Sequence, residues 1–390
     1  MIPPGIILAM ARTNPYVYGS PIAAGAAEAF ADREEELAVL EGALASGGNV
    51  ILLAPRRYGK TSLLNIAVGR VVERGVRAGR VTLADCTDLQ DVCESLLHGI
   101  LEGPARWRER GVDAVRELVG HLRPRLEVAP DGSLRVGLDV ESGRDPWRRL
   151  LYDVLRVLEA VRATGDEVAL VIDEFQRAYE LDDAVPGVVK RLCDEMPGVS
   201  LVLSGSRRHL MERLSGRGAP LARVGTRIAL PKVPRDRMCD FLVRRCATGG
   251  RMLAAGVAEH IHDLAAGVPN EVQQLASHAF DQASGNRVRT ADVDEALSRI
   301  VRQGRFEYVA ILRALAPSQR RLLRELARGG PKPSVQTGVM VRSLRVSNPS
   351  AVRRALVALE EDDLVEQTPE GWEVSNPFLA LWLRDYVGDD

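Results

Sequence analysis

The chain has 390 residues, 46% hydrophobic and 27% charged, the balance of a soluble globular protein long enough for two or three domains. Its 52 basic residues stand against 53 acidic ones, so no global charge draws it toward nucleic acid or an anionic membrane. The apolar start, MIPPGIILAM, is too short to span a bilayer, holds Pro3 and Pro4 and lacks a basic leading region. With no other candidate span, a cytoplasmic location without membrane contact is expected.

Five cysteines (Cys86, Cys93, Cys193, Cys239, Cys246) are an odd number with no C-x-x-C spacing, and read as reduced thiols rather than a metal site. Lysine occurs only at Lys60, Lys190, Lys232 and Lys332. In so arginine-rich a chain, an arginine cluster carries less information than usual.

Residues 1–13 read as an N-terminal extension and Asn14 to Phe30 as a turn-rich lead-in. A helix follows, with Asp32 as its cap, Glu35 three residues on, and Leu37, Leu40 and Leu44 along one face. The apolar run Val50 to Leu53 then breaks into Ala54, Pro55, Arg56, Arg57, Tyr58, Gly59, Lys60, Thr61 and Ser62, and an apolar helix begins at once. Strand, tight loop and helix N-terminus in that order make a phosphate cradle. Backbone N–H groups wrap the phosphates, the Lys60 ammonium sits between the β- and γ-phosphates, and the Thr61 hydroxyl ligates Mg²⁺. Ala54 stands where the G-x-x-x-x-G-K-T pattern opens with Gly, which puts the first turn at issue.

Val81 to Asp85 reads as a second strand and Asp91 to Leu101 as a helix. Between about 104 and 145 the pattern becomes alternating around Pro130-Asp131-Gly132, a hairpin insertion without an assigned role. A helix from Pro146 to Ala160 leads into VALVIDEF (Val168 to Phe175), a strand buried on both faces that ends in two carboxylates. At such a strand end Asp173 holds Mg²⁺ through water and Glu174 polarises the attacking water as general base. Another helix reaches Met196, and Val199 to Ser204 and Thr226 to Leu230 complete five strands. Ser206, preferred over Ser204, is placed to feel the γ-phosphate. Alternating strands and helices predict a parallel sheet covered on both sides.

The block A-P-R-R-Y-G-K-T-S from Ala54 has three companions: N-P-Y-x-Y-G from Asn14, F-x-D-R-E-x-E-L from Phe30 and V-I-D-E-F-Q from Val171. Together they resemble the archaeal-type ATPase family, of the STAND branch of P-loop NTPases and close to the AAA+ proteins. The resemblance implies an α/β P-loop NTPase core with a five-stranded parallel sheet (14–230), a helical lid (231–315) and a C-terminal winged helix (316–390). It implies ATP or ADP with Mg²⁺ as ligands, and Asn14, Pro15, Phe30 and Arg33 as residues bordering the adenine. Asp32 and Ala54 depart from glycines common in that family. Ala219 to Arg223 resembles its P-L-x-x-R block, making Arg223 the candidate arginine finger, which acts on a neighbouring subunit's ATP if the protein self-associates. Gly267-Val268-Pro269 resembles the G-x-P lid block, with Pro269 at the nucleotide. The residue that follows is Asn270 rather than a sensor arginine, a departure that favours a slow switch.

After Arg235 the pattern is purely helical to about Ile300. From Ser318 the chain reads as three helices and a small β-wing; Ser347-Asn348-Pro349 caps the third helix, and Leu356, Val357 and Leu359 are expected in its core. Between Gln319 and Arg354 the charges are basic apart from Glu325, so a recognition helix would offer Ser350, Arg353 and Arg354 to double-stranded DNA. A winged helix that packs on protein is the equal alternative. Three functions stay open: an ATP-hydrolysing switch coupling nucleotide state to lid closure and self-association or partner binding, an ATP-controlled DNA-binding regulator, and a signalling or defence adaptor working by protein contact.

Overall fold

A computed structural model describes residues 13–101, 123–128, 134–139, 146–163, 165 and 167–385. They pack as two units, one of residues 21–231 and one of residues 13–20 with 232–385. The lead-in is thus divided: Asn14 to Ser20 belong with the C-terminal half of the chain.

The first unit opens with a 3-10 helix, Ala24–Ala29, and α1, Glu34–Ser46. Leu37, Leu40 and Leu44 are buried along one face. Asp32 does not cap α1. It sits at a φ of 37°, and Arg33 is the N-cap without a side-chain hydrogen bond to the helix. Then follow β1 (Val50–Leu53), α2 (Lys60–Glu73), β2 (Arg77–Thr82), α3 (Leu89–Leu101), β3 (Arg123–Val128), β4 (Leu134–Asp139), α4 (Pro146–Arg162) and β5 (Val168–Asp173). The unit closes with α5 (Gln176–Leu181), α6 (Val185–Glu195), β6 (Val199–Gly205), α7 (Arg208–Ser215) and β7 (Thr226–Ala229).

Five strands form one parallel sheet in the order β2-β5-β6-β1-β7. Every residue of β1, β5 and β6 is buried, as continuous apolar runs require. Val168, Leu170 and Ile172 alternate onto one face with Leu201 and Leu203 of β6, and join Leu96 and Leu97 of α3 and Val154 and Leu158 of α4 in the main core. Each such side chain contributes about 1.5–3 kcal/mol by leaving water.

The second strand lies earlier than its apolar letters suggest, over Arg77–Thr82 instead of Val81 to Asp85. It is a sheet edge paired only with β5, so Arg77 and Arg80 are tolerated where a central strand would need apolar residues. The helix expected to run to Met196 is two helices, α5 and α6, broken at 182–184. The hairpin forms as β3 against β4, antiparallel, with Arg123 opposite Asp139; residues 102–122 of the insertion lie outside the described residues.

The second unit begins with α8 (Arg235–Thr248), β8 (Met252–Leu253), α9 (Val257–Leu264), α10 (Pro269–Gln282), β9 (Arg287–Val288) and α11 (Thr290–Ala314). It is not purely helical, because β8 and β9 pair in parallel over two residues each. Next come α12 (Pro317–Ala327), α13 (Gly338–Ser343), α14 (Pro349–Glu361), β10 (Val365–Thr368), β11 (Gly371–Val374) and α15 (Pro377–Asp385). Asn348 caps α14 through its side chain, which accepts the Ala351 N–H at 3.0 Å. Lys332 pairs with Trp372 and adds a third short edge to the wing. Leu356 and Leu359 are core, as expected, but Val357 is 39% exposed because it lies on the outer face of α14.

No described helix is long and apolar enough to cross a membrane.

Candidate active site

The phosphate loop runs from the end of β1 to the start of α2. Ala54 is buried and is absent from the positive-φ positions, so the turn does not need Gly there. The left-handed positions fall further on, at Arg57 (φ 72°) and Gly59 (φ 84°). Gly59 caps α2, and a Cβ there would come within 2.9 Å of the Phe30 ring, which lies against the loop. Tyr58 is buried, Pro55 is half-buried, and Arg56 and Arg57 are exposed.

Lys60 is 6% exposed and reaches across to the end of β5, where its Nζ lies 2.7 Å from Asp173 Oδ1 and 2.5 Å from Glu174 Oε1. The β2-β5-β6-β1 order sets this geometry: β6 separates the strands that carry the lysine and the two acids, and supplies hydroxyls from its own end. Ser204 donates to Asp173 Oδ1 at 2.6 Å, and Ser206 to Glu174 Oε2 at 2.8 Å. Both serines therefore belong to the site, each on its own acid. Gly205 between them admits no Cβ, which would meet Gln176 and Met211 at 2.5 Å.

Burial alone would push both carboxyl groups up. For Asp173 it is outweighed by the Lys60 ammonium, by the hydrogen bond from Ser204 and by the Arg80 guanidinium, which hold it well below the usual carboxylate range. Glu174 is also lowered against its burial, by Lys60 and by the hydrogen bond from Gln176. Glu174 has a φ of 56°, a strained value for a non-glycine residue that costs about 1–3 kcal/mol and turns the carboxylate toward Lys60.

Thr61 Oγ1 lies 3.1 Å from Asp173 Oδ2. Both are hard oxygen donors of the kind Mg²⁺ takes, so the pair suits the ion. Among the described residues no His, Cys, Asp or Glu group forms a separate metal cluster.

Two contributors escaped the motifs. Arg80, on the edge strand, donates to Asp173 Oδ2 at 3.1 Å and to Asn65 Oδ1 at 2.8 Å. Gln176 donates to Glu174 Oε2 at 2.5 Å. Gln176 closes the D-E-F-Q block and could have been chosen from it; Arg80 has no local signal.

Other expected residues lie elsewhere or have other partners. Arg33 is buried, and its guanidinium donates to Glu36 at 2.9 Å and to the Pro231 carbonyl at 2.5 Å, so these groups are its side-chain partners. The Ser62 hydroxyl accepts the Ile22 N–H at 3.0 Å. Arg223 is exposed, in the segment before β7. Asn14, Pro15 and Pro269 are in the other unit. Asn14 donates to the carbonyl and hydroxyl oxygens of Ser277 at 3.0 and 2.9 Å, the Pro15 carbonyl accepts from Arg245, and Pro269 opens α10. The N-P-Y-x-Y-G block thereby binds α10 and α8, with the Tyr16 hydroxyl donating to the Leu242 carbonyl of α8 at 2.8 Å.

Parallel sheet, glycine-capped phosphate loop and acid pair define a P-loop ATPase fold, followed by helical and winged-helix regions. The family model described as a probable winged helix domain matches residues 306–385. Among solved structures, the Walker-type ATPase PABY2304 of Pyrococcus abyssi is similar at 17% identity and a TM-score of 0.63, over 91% of this chain and 96% of that one. The Aeropyrum pernix ORC2 protein, in ADPNP–ADP complexes, follows at 15% identity and 0.52, over 90% and 91%. The Aeropyrum pernix ORC1 protein in complex with DNA has 17% identity and 0.50, over 90% and 91%. Among curated proteins no sequence matches.

Proposed function

We propose that this chain is a Mg²⁺-dependent ATPase that works as a slow switch. The observation that carries the reading is the Lys60–Asp173–Glu174 cluster, with Thr61 against Asp173 at the mouth of the phosphate loop. Lys60 and the loop N–H groups bind the β- and γ-phosphates, and Thr61 and Asp173 hold the ion. The bound ion neutralises charge on the phosphate oxygens. Glu174 takes a proton from the attacking water as the bond to the γ-phosphorus forms, and ADP leaves with the bridging oxygen. Ser206 and Gln176 orient the Glu174 carboxylate. Phe30, against Gly59, is the residue of the adenine set best placed to border the base. Arg223, exposed and on a different segment, suits a finger offered to a second copy of the chain.

The test is nucleotide binding and phosphate release. Glu174→Gln should bind ATP and hydrolyse it about 10²–10⁴-fold more slowly; normal turnover would remove Glu174 as the base.

A second reading, duplex DNA binding by the winged helix, draws on one observation. From Gly329 to Leu359 the chain has no acidic residue. Arg342, Arg345, Arg353 and Arg354 are exposed there and pair with no carboxylate among the described residues. Ser350 is exposed one turn before Arg353 and Arg354. Salt-dependent duplex binding that disappears in Arg353→Ala/Arg354→Ala would support it. An absence of DNA binding combined with ATP-dependent self-association would favour a partner protein instead.

A further inference from the structure

The guanidinium of Arg80 links the Asp173 carboxylate to the place where the chain passes between the two units. One of its terminal nitrogens donates to Asp173 Oδ2, the oxygen that also accepts from Thr61. The other donates to Asn65 Oδ1 on α2. Asn65 in turn donates from Nδ2 to the Ile22 carbonyl at 3.0 Å, while the Ile22 N–H is held by Ser62. Both polar groups of the Ile22 backbone are thus bound to α2. Ile22 is the second residue after the boundary at Ser20. On the other side of that boundary, the Gly19 N–H donates to Asn270 Oδ1 at 2.9 Å, next to Pro269 at the start of α10. Residues 19–22 form a strap with one anchor in each unit. Pro21 stiffens it.

We infer that Arg80 is a positioning residue that couples the state of Asp173 to this strap through Asn65 and Ile22. The inference rests on the ATPase reading of the site. Arg80 and Thr61 share one oxygen, so when Asp173 turns Oδ2 toward a cation held with Thr61, Arg80 loses an acceptor and gains a like-charged neighbour. Its hold on Asn65 loosens, and Asn65 no longer fixes the Ile22 carbonyl. The Arg80 Nε makes no hydrogen bond among the described residues, so the two terminal contacts orient the group. Lys60 and Ser204 act on Oδ1, which keeps Asp173 in place while Oδ2 changes partners.

The test is hydrogen exchange at the backbone amides of residues 17–24 in the full chain, with and without MgATP, alongside direct measurement of ATP affinity. In the wild type, MgATP should raise strap exchange by about threefold or more. Arg80→Ala and Asn65→Ala should raise it without nucleotide and abolish the further rise, with the ATP affinity of Asn65→Ala within about tenfold of wild type. Arg80→Lys should bind ATP yet show a weaker response, since an ammonium cannot bridge both acceptors. Arg70→Ala, on the same helix as Asn65, breaks an ion pair to Glu41 of α1 and should leave the strap response intact. An unchanged strap in a wild type that binds ATP would overturn the coupling alone, as would a full response in Arg80→Ala. A wild type without ATP affinity would overturn the ATPase reading and the coupling with it. If Arg80→Ala fails to fold, Asn65→Ala and Arg80→Lys decide the matter.

Discussion

The acid pair and the winged-helix arginines are opposite uses of charge. Around Asp173 and Glu174, each carboxylate has a cationic partner and a hydroxyl donor, and Lys60 and Asp173 are almost completely buried. Removing one member of such a cluster leaves another uncompensated. On α13 and α14, by contrast, Arg342, Arg353 and Arg354 are exposed and have no acid opposite them among the described residues. Those arginines contribute little to folding and leave their charge available to solvent or a partner. The first region is neutralised from within and therefore rigid in its requirements; the second is tolerant.

The largest expected effect of breaking this contrast is at Lys60. Lys60→Ala should abolish detectable ATP binding, and because it leaves the buried Asp173 carboxylate without its ammonium beside the half-buried Glu174 it should also destabilise the fold by about 3–5 kcal/mol. Nucleotide titration and urea unfolding measure the two effects separately. Unchanged ATP affinity would remove the site assignment.

Acid is the next lever. Asp173 and Glu174 are held below their ordinary values, so they add stability that is complete above about pH 4–5 and is lost as pH falls through their folded values. Thermal melts between pH 7 and 3 should show this loss, with a shallower slope in Asp173→Asn. An equal slope would mean that the cluster does not govern acid stability.

The winged-helix face should behave differently. Arg353→Ala/Arg354→Ala should change unfolding stability by under about 0.5 kcal/mol. If the face binds duplex DNA, the same variant should lower the slope of log K against log salt by about 1.8 for two lost phosphate contacts. A marked stability loss would show that these arginines hold the domain together. The smallest effect is local: Asn348→Ala removes the cap of α14 and should cost about 1 kcal/mol in a melt.

How much of the site was legible depends on how local its parts are. The phosphate loop, Asp173, Glu174 and the serines of β6 lie at strand ends, where apolar runs stop at polar letters, and such stops are visible in a linear sequence. Arg80 is 93 residues from Asp173, on a strand whose arginines disguise its extent. Only the pairing of β2 with β5 brings it to the carboxylate. The side-chain partners of Arg33 and Asn14 were hidden for a related reason. Their motifs were recognisable, yet a motif does not tell whether a side chain faces a ligand or a neighbouring backbone, and Arg33 faces the Pro231 carbonyl.

The sequence by itself determined the alternation of buried strands and helices, the glycine-capped loop before α2, the acid pair and the Asn348 cap, because each depends on neighbours within a few residues. Tertiary structure alone decided that Lys60 lies between two carboxylates, that Arg80 shares Asp173 with Thr61, and that the lead-in divides at Ser20. Those outcomes follow from sheet order and from which buried polar groups find partners across it, and both are properties of the packed chain.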